Sequence, residues 1–248
     1  MRAMILAAGL GTRLRPLTNH RPKALVEVDG RTLLEITLAR LRSFGICEVI
    51  INVHHFADKI VDYLKANGNF GMRIEISREE ELLDTGGGLK RAAHFFLENA
   101  AEGPFLVHNV DVISSIDLER MARFHRESHA LATLAVQKRE SSRYLLFDDE
   151  LQLCGWQTGD QPAERLRPAS PTQALGFCGI HVISPRIFPL LSEDGAFPII
   201  PAYLRLAAEG QRIVAFRADE YSWRDLGKIE DLPQTPSPEW LQLRNQAK

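Results

Sequence analysis

Residues 4–23 read MILAAGLGTRLRPLTNHRPK, and this stretch limits the possible folds more than any other. Met4 to Ala8 form an apolar run closed by glycine, the pattern of a buried strand. Gly9, Gly11 and Thr12 follow, then Arg13, Arg15, Arg21 and Lys23 with no acidic residue among them. Glycine lets backbone N–H groups turn toward an anion, and a loop leaving a strand in this way commonly cradles phosphate. The cations behind the loop supply the charge that a polyphosphate requires. A nucleoside triphosphate site at the amino terminus of an α/β chain is expected.

Two familiar glycine loops are excluded. A Rossmann fingerprint needs a third glycine where this chain has Leu14, and a P-loop needs a glycine followed by Lys and Ser or Thr. The stretch instead resembles the sugar-1-phosphate nucleotidyltransferases, whose loop runs G-x-G-T-R-(L/M)-x-P-(L/M)-T and then P-K. Gly9, Gly11, Thr12, Arg13, Leu14, Pro16, Leu17, Thr18, Pro22 and Lys23 meet every fixed position. A strand turning through glycines beside solvated arginines would explain the glycines but not the ordered remainder.

A chain of 248 residues, 45% hydrophobic and 25% charged, can bury a sizeable core as one large α/β domain or two small ones. Its formal charge of −2 gives no global basic field for nucleic acid, so a polyanion must be held locally. Cys47, Cys154 and Cys178 are an odd count without paired spacing, which reads as reduced thiols in a cytoplasmic protein. There is no signal-peptide order and no apolar run of membrane-spanning length. Monomer and homodimer both remain open.

The chain alternates strands and helices. Residues 24–28 read as an extended piece with a turn at Asp29-Gly30. Thr32 and Glu35 form a capping box ahead of an amphipathic helix that Gly45 ends. Glu48 to His54 suits a parallel strand, 56–66 a helix closed by Asn67-Gly68, and Met72 to Ser77 a further strand. This rhythm implies a doubly wound sheet with right-handed crossovers. The resemblance implies a Rossmann-like, mixed, mostly parallel sheet, the nucleotide-diphospho-sugar transferase fold. One domain over 1–232 would bind nucleotide with about 1–112 and sugar with about 113–232, followed by a tail at 233–248.

Leu83-Asp84-Thr85-Gly86-Gly87 resembles the family's L-(G/E/D)-T-(A/G)-G segment, which holds base and ribose. A helix is predicted from Leu89 to about Glu98, opened by three glycines whose helix-weakening a close ligand approach would offset. Pro104 to Val110 is a strongly apolar strand delivering Asp111 to the end where open α/β sheets bind ligands. The family places a Mg²⁺-binding aspartate there, normally after glycine; Val110 replaces it. A helix over about 117–128 and a strand over 130–137 follow.

Arg143-Tyr144 resembles the sugar-contacting R-Y-G segment with Leu145 in place of glycine, and Asp148-Asp149-Glu150 reads as a solvated turn. Residues 155–172 look like a loop in which the family's Glu-Lys pair is missing, with Arg165 and Arg167 read as surface charge. A long strand over 173–184 carries Gly176, Phe177 and Gly179 where the family closes its sugar pocket. A helix over 197–209 and a strand over 212–217 lead to Trp223, Asp225 and Gly227, which match W-x-D-x-G; Lys228 replaces the next threonine. Pro233, Pro236 and Pro238 break structure in the tail. No internal repeat is visible. His54-His55 point to opposite faces, and His108 is expected to face the core or a helix, so no histidine is assigned to chemistry.

The resemblance implies attack of a sugar 1-phosphate on the α-phosphate of a nucleoside triphosphate, with Mg²⁺ on Asp111 and Asp225. Arg13 would stabilise the triphosphate and leaving pyrophosphate, and Lys23 would neutralise the α-phosphate or the sugar phosphate. Leu6, Ala8, Gly9, Gly11, Thr12, Arg13, Asp84, Thr85 and Gly86 would hold the nucleotide; Asn109, Tyr144 and Gly179 would hold the sugar. The INVHHF segment and the Thr85-Gly86-Gly87-Gly88 run look closest to N-acetylmuramate-1-phosphate uridylyltransferases, with GTP and mannose or heptose 1-phosphate the alternative pair. A catalytically silent nucleotide-sugar-binding subunit is the alternative of another class. A Rossmann oxidoreductase fails on Leu14.

Overall fold

The computed structural model describes residues 1–98, 103–159, 161–166 and 171–231. β1 (Ala3–Leu6) leads through the glycine loop to a hairpin, β2 (Glu27–Val28) and β3 (Arg31–Thr32), then to α1 (Leu33–Ser43). β4 (Glu48–Val53), α2 (Ala57–Ala66) and β5 (Arg73–Arg78) follow. α3 (Asp84–Arg91) and α4 (Ala93–Leu97) return the chain to β6 (Phe105–Asn109). Next come β7 (Val112–Ser114), α5 (Leu118–Glu127), β8 (Ala132–Gln137) and β9 (Arg143–Phe147). β10 (Leu153–Thr158), β11 (Glu164–Arg165) and the long β12 (Gln173–Ile183) precede α6 (Ile199–Ala208), β13 (Ile213–Arg217) and β14 (Trp223–Asp225).

The main sheet runs β11-β10-β9-β12-β6-β1-β4-β5, with β8 against β12 and β13 against β8. β5, β4, β1 and β6 are parallel neighbours, and β12 joins β6 antiparallel. Alternation along β1 explains why helices cover both faces. Ala3 and Ile5 enter a core with residues of α1, α2 and α5, while Met4 enters another with residues of α3, α4 and α6. The expected mixed, doubly wound sheet is what forms.

Three local expectations are corrected first. Thr32 Oγ1 accepts the Glu35 N–H at 3.1 Å, as a capping residue should. The reciprocal half of the capping box is absent, because Glu35 accepts from Arg31 Nε at 2.7 Å and from the Tyr63 hydroxyl at 3.1 Å. Residues 155–172 are not all loop. Gly155 lets β10 approach β11 so closely that a Cβ there would stand 2.3 Å from the Glu164 carbonyl oxygen. Arg165 lies on β11, whereas Arg167 and the tail from 232 onward lie outside the described residues.

The third correction concerns the glycines. α3 starts at Asp84, so Gly86, Gly87 and Gly88 lie inside its first turns and do not precede a helix at Leu89. Their purpose is contact with protein. A Cβ on Gly86 would stand 2.3 Å from the Phe197 ring, and one on Gly87 2.3 Å from the Gly195 carbonyl oxygen. The bare backbone is used as well: Gly86 N–H donates to Phe197 O at 2.8 Å, and Ile199 N–H donates to Thr85 Oγ1 at 2.9 Å. Gly87→Ala is therefore expected to cost about 1–3 kcal/mol by overpacking, measured as a lowered urea midpoint. An unchanged midpoint would show that this seam yields freely.

Candidate active site

Leu6, at the end of β1, is in register with Asn52 of β4 on one side and Asn109 of β6 on the other. The chain runs outward from β1 to β4 and β5, then returns to place β6 on the opposite side, which makes a topological switch point. A cavity of about 300 Å³ opens there. Its floor is Leu6, Ala7, Ala8 and Gly9, so β1 ends two residues before the expected Ala8 and the freed backbone becomes wall. Asn109, Val110 and Asp111 form a second side; Lys23, Asn52, Leu82, Asp84 and Thr85 complete it.

Val110 does not displace the strand. Its N–H donates to Leu6 O at 3.1 Å, continuing the parallel pairing, and its side chain joins the core. Thr85 uses its hydroxyl to cap α6, and Asp84 Oδ1 accepts the Thr85 N–H at 2.6 Å from a left-handed backbone.

The glycine loop is held by itself. Gly11 adopts φ 65°, and a Cβ there would stand 3.0 Å from Thr18 Cγ2 and 3.2 Å from Lys23 Cβ. Thr18 donates its hydroxyl to Gly11 O at 2.8 Å, and Leu14 is fully buried beneath. This folding-back delivers Lys23, 9% exposed, to the cavity, where its ammonium pairs with Asp111 Oδ2. Thr12 and Arg13 form an exposed 3-10 turn outside the cavity lining.

Asp225 arrives from the far end of the chain. β14 pairs antiparallel with β7 outside the main sheet, placing Asp225 opposite Val112, and the Leu226 N–H donates to Asp111 O at 2.8 Å. Burial raises the Asp225 carboxyl above the ordinary range, and Asp111 raises it further; Lys23 and Arg13 oppose the shift. Its Oδ1 is buried without a hydrogen-bond partner among the described residues. Gly227 explains the W-x-D-x-G glycine: a Cβ would stand 2.8 Å from Asp225 Oδ1 and 2.9 Å from Arg13 Nη2. Trp223 is fixed by its indole N–H on Cys178 O at 2.8 Å and by the Arg139 guanidinium 4.0 Å over its ring.

The remaining expected residues are Gly179, Tyr144 and Gly86. Gly179 takes φ 71° at an irregularity in β12, where a Cβ would be 2.8 Å from Asn109 Nδ2. Tyr144 lies on β9 with its hydroxyl accepting the Ser141 N–H at 2.9 Å, and neither it nor Gly86 lines the cavity. Sequence reasoning overlooked Asn52, which lines the cavity, and Glu79, hydrogen-bonded to it; both are buried. Asn52 could have been noticed as one amide inside the apolar run EVIINV.

Residues 2–237 match the profile of the nucleotidyl transferase family. The chain belongs to that family. This nucleotidyl transferase is 38% identical over 233 residues to the N-acetylmuramate alpha-1-phosphate uridylyltransferase of Caulobacter vibrioides, covering 91% of each chain. It is 30% identical to the mannose-1-phosphate guanylyltransferase catalytic subunit beta of Xenopus tropicalis, covering 98% of this chain and 68% of that one. The solved inositol-1-phosphate CTP transferase from T. maritima superposes with a TM-score of 0.77 at 16% identity, over 100% of this chain and 96% of that one. That likeness concerns the fold, and it agrees with the expected nucleotide-diphospho-sugar transferase fold. Among the described residues no helix is long and apolar enough to cross a membrane, and none of the three cysteines is in a disulfide.

Proposed function

We propose that this nucleotidyl transferase joins UTP to N-acetylmuramate 1-phosphate, giving the UDP-sugar and pyrophosphate. Lys23 and Asp111, paired in the cavity, and Asp225, close enough to be repelled by Asp111 and attracted by Lys23, support the reaction class. The 38% identical uridylyltransferase, matched over 91% of both chains, supports the substrates. Work in the cytoplasm on a cell-wall precursor fits the absence of disulfides.

The attacking phosphate oxygen is already an anion, so no serine, cysteine or general base is needed. Positioning and charge neutralisation carry the rate. Lys23 neutralises the α-phosphate or the incoming sugar phosphate. Arg13, held beside Gly227 and Asp225, stabilises the triphosphate and the departing pyrophosphate. The main-chain N–H groups of the 8–12 loop orient the phosphates, Asp84 and Thr85 the nucleoside, and Asn109, Tyr144 and Gly179 the sugar.

The donor set fits a divalent cation. A buried, unpartnered carboxylate oxygen on Asp225 stands near a second carboxylate, and no third His, Cys, Asp or Glu joins them among the described residues. One or two carboxylates plus substrate phosphates is how Mg²⁺ is commonly held. Mg²⁺ on Asp111 and Asp225 would supply Lewis-acid neutralisation of the phosphates.

The test is pyrophosphate release with Mg²⁺ across the common nucleoside triphosphates and a panel of sugar 1-phosphates. UTP with N-acetylmuramate 1-phosphate is expected to be the fastest pair. Faster turnover of GTP with mannose or heptose 1-phosphate would replace the substrate assignment. No turnover with any pair, alongside tight nucleotide-sugar binding, would make the protein a silent binder.

A further inference from the structure

The backbone N–H of Ala7, on the cavity floor, and that of Leu83, flanked by the wall residues Leu82 and Asp84, are joined through a chain of buried side chains. The Ala7 N–H donates to Asn52 Oδ1 at 2.8 Å, and Asn52 Nδ2 donates to Glu79 Oε1 at 2.7 Å. The other carboxylate oxygen, Glu79 Oε2, accepts the Leu83 N–H at 3.0 Å. Asn52 is 2% exposed and Glu79 5%. Gly88 makes room for them, since a Cβ there would stand 2.7 Å from Glu79 Oε1 and 2.8 Å from Asn52 Nδ2. Glu79 is also fixed by its own backbone: its N–H donates to Val53 O at 2.9 Å, and its carbonyl lies 2.9 Å from His54 Nδ1.

The polarity of this relay is determined by its ends. Both are backbone donors, and neither can be reversed. The Ala7 N–H commits the Asn52 amide to turn its oxygen inward and its NH₂ toward residue 79. Whatever stands at 79 must then accept from that NH₂ and from the Leu83 N–H together, which a carboxylate does and an amide cannot. Leu82, Asp84 and Thr85, which flank Leu83, line one wall of the cavity; Ala7 and Ala8 line its floor.

We propose that Asn52 and Glu79 are positioning residues that clamp the 79–85 loop to the end of β1. By setting the width of that part of the cavity they determine how tightly the nucleoside is gripped and how sharply bases are told apart. This rests on reading the cavity as the nucleotide site. Glu79 acts through Leu83 and Asn52 and touches no reacting atom.

The relay can be broken and then rebuilt with inverted chemistry. Glu79→Gln leaves a donor facing a donor whichever way the new amide turns, and Asn52→Asp sets two acceptors face to face. In the double variant, amide and carboxylate trade places. The Leu83 N–H then meets the new amide's oxygen, that amide's NH₂ meets the new carboxylate, and the carboxylate still accepts the Ala7 N–H. Net charge is unchanged from the parent. Each single variant is expected to raise KM for the nucleoside triphosphate about tenfold, the cost of a buried unsatisfied group, and to narrow the ratio of kcat/KM among bases. kcat should stay within about twofold, as for a lost uniform binding interaction. The double variant should return KM to within about threefold of the parent through coupling of the two sites. A double variant no better than the worse single, or losses falling on kcat alone, would overturn the clamp. Hydrogen exchange of the Ala7 and Leu83 amides separates this from the proposed function. If the parent releases no pyrophosphate, that function fails, while protection lost in each single and regained in the double still supports the relay. Protection unaltered by the single variants would overturn it.

Discussion

Asp225→Asn is expected to lower pyrophosphate release by on the order of 10³-fold, the loss seen when a main electrostatic stabiliser of a transition state is removed, while leaving the fold intact or firmer. The carboxyl is partly buried, repelled by Asp111, and carries one buried oxygen with no hydrogen-bond partner among the described residues, so its charge opposes the fold in the absence of a cation. Asparagine keeps the shape and removes the charge. Asp111→Asn is expected to be as inactive but less stable, because Asp111 is the partner of the buried Lys23 ammonium. Weakening that pair should cost roughly 1–3 kcal/mol. Pyrophosphate assays with Mg²⁺ and urea titrations without it would read both halves. Full activity in Asp225→Asn would sink the two-carboxylate assignment. Equal destabilisation by the two variants would sink the account of the charges.

Acid should unfold the protein well before the carboxylates of its surface are neutralised. Burial above all holds the His108 and His125 imidazoles down at about 4 and that of His181 at about 3. Each is placed as a neutral ring: His125 lies between Thr133 Oγ1 and Ser184 Oγ, both at 2.9 Å, and His181 shares a 2.7 Å hydrogen bond with the Tyr203 hydroxyl. The unfolded chain takes these protons near pH 6.5 and the folded chain refuses them until much lower pH. Their stability is thus fully present above about 6.5 and is lost as pH falls. Each site forfeits about 1.4 kcal/mol per pH unit across that window, so three together forfeit about 4 kcal/mol for every pH unit, against a total of roughly 5–15 kcal/mol for a typical domain. Urea midpoints at pH 7, 6 and 5 should fall steeply, and less steeply in His125→Gln. A flat midpoint over this range would show that the rings accept protons in the folded state.

The parts legible in the sequence were those whose chemistry is local. The loop from Gly9 to Lys23 carries the family pattern in consecutive residues, and the apolar runs of β1, β4 and β6 place it at the carboxyl end of the central strands without further help. What misled was a local rule outweighed by a distant neighbour. Low helix propensity at Gly86-Gly87-Gly88 argued for a helix start at Leu89, yet Phe197 and Gly195 reward the bare backbone and the helix begins at Asp84. Loop-like composition after Gly155 concealed β10 and β11, whose pairing depends on the absence of a single side chain. Glu79 stayed hidden among three successive glutamates because its distinction is the direction of two donors that only the folded chain brings to it.

The antiparallel pairing of β14 with β7 also has a bearing on the order in which the protein matures. Asp111 is synthesised with the strands that build the switch point, but Asp225 joins it only when a segment more than a hundred residues later returns to pair beside it. Such a long-range contact is slow to close and comes late in folding. A nascent or truncated chain ending before that segment can possess the phosphate loop and Lys23, yet it has half of the carboxylate pair. Ligands that need both carboxylates therefore stabilise the finished chain alone and draw partly folded chains toward completion by mass action.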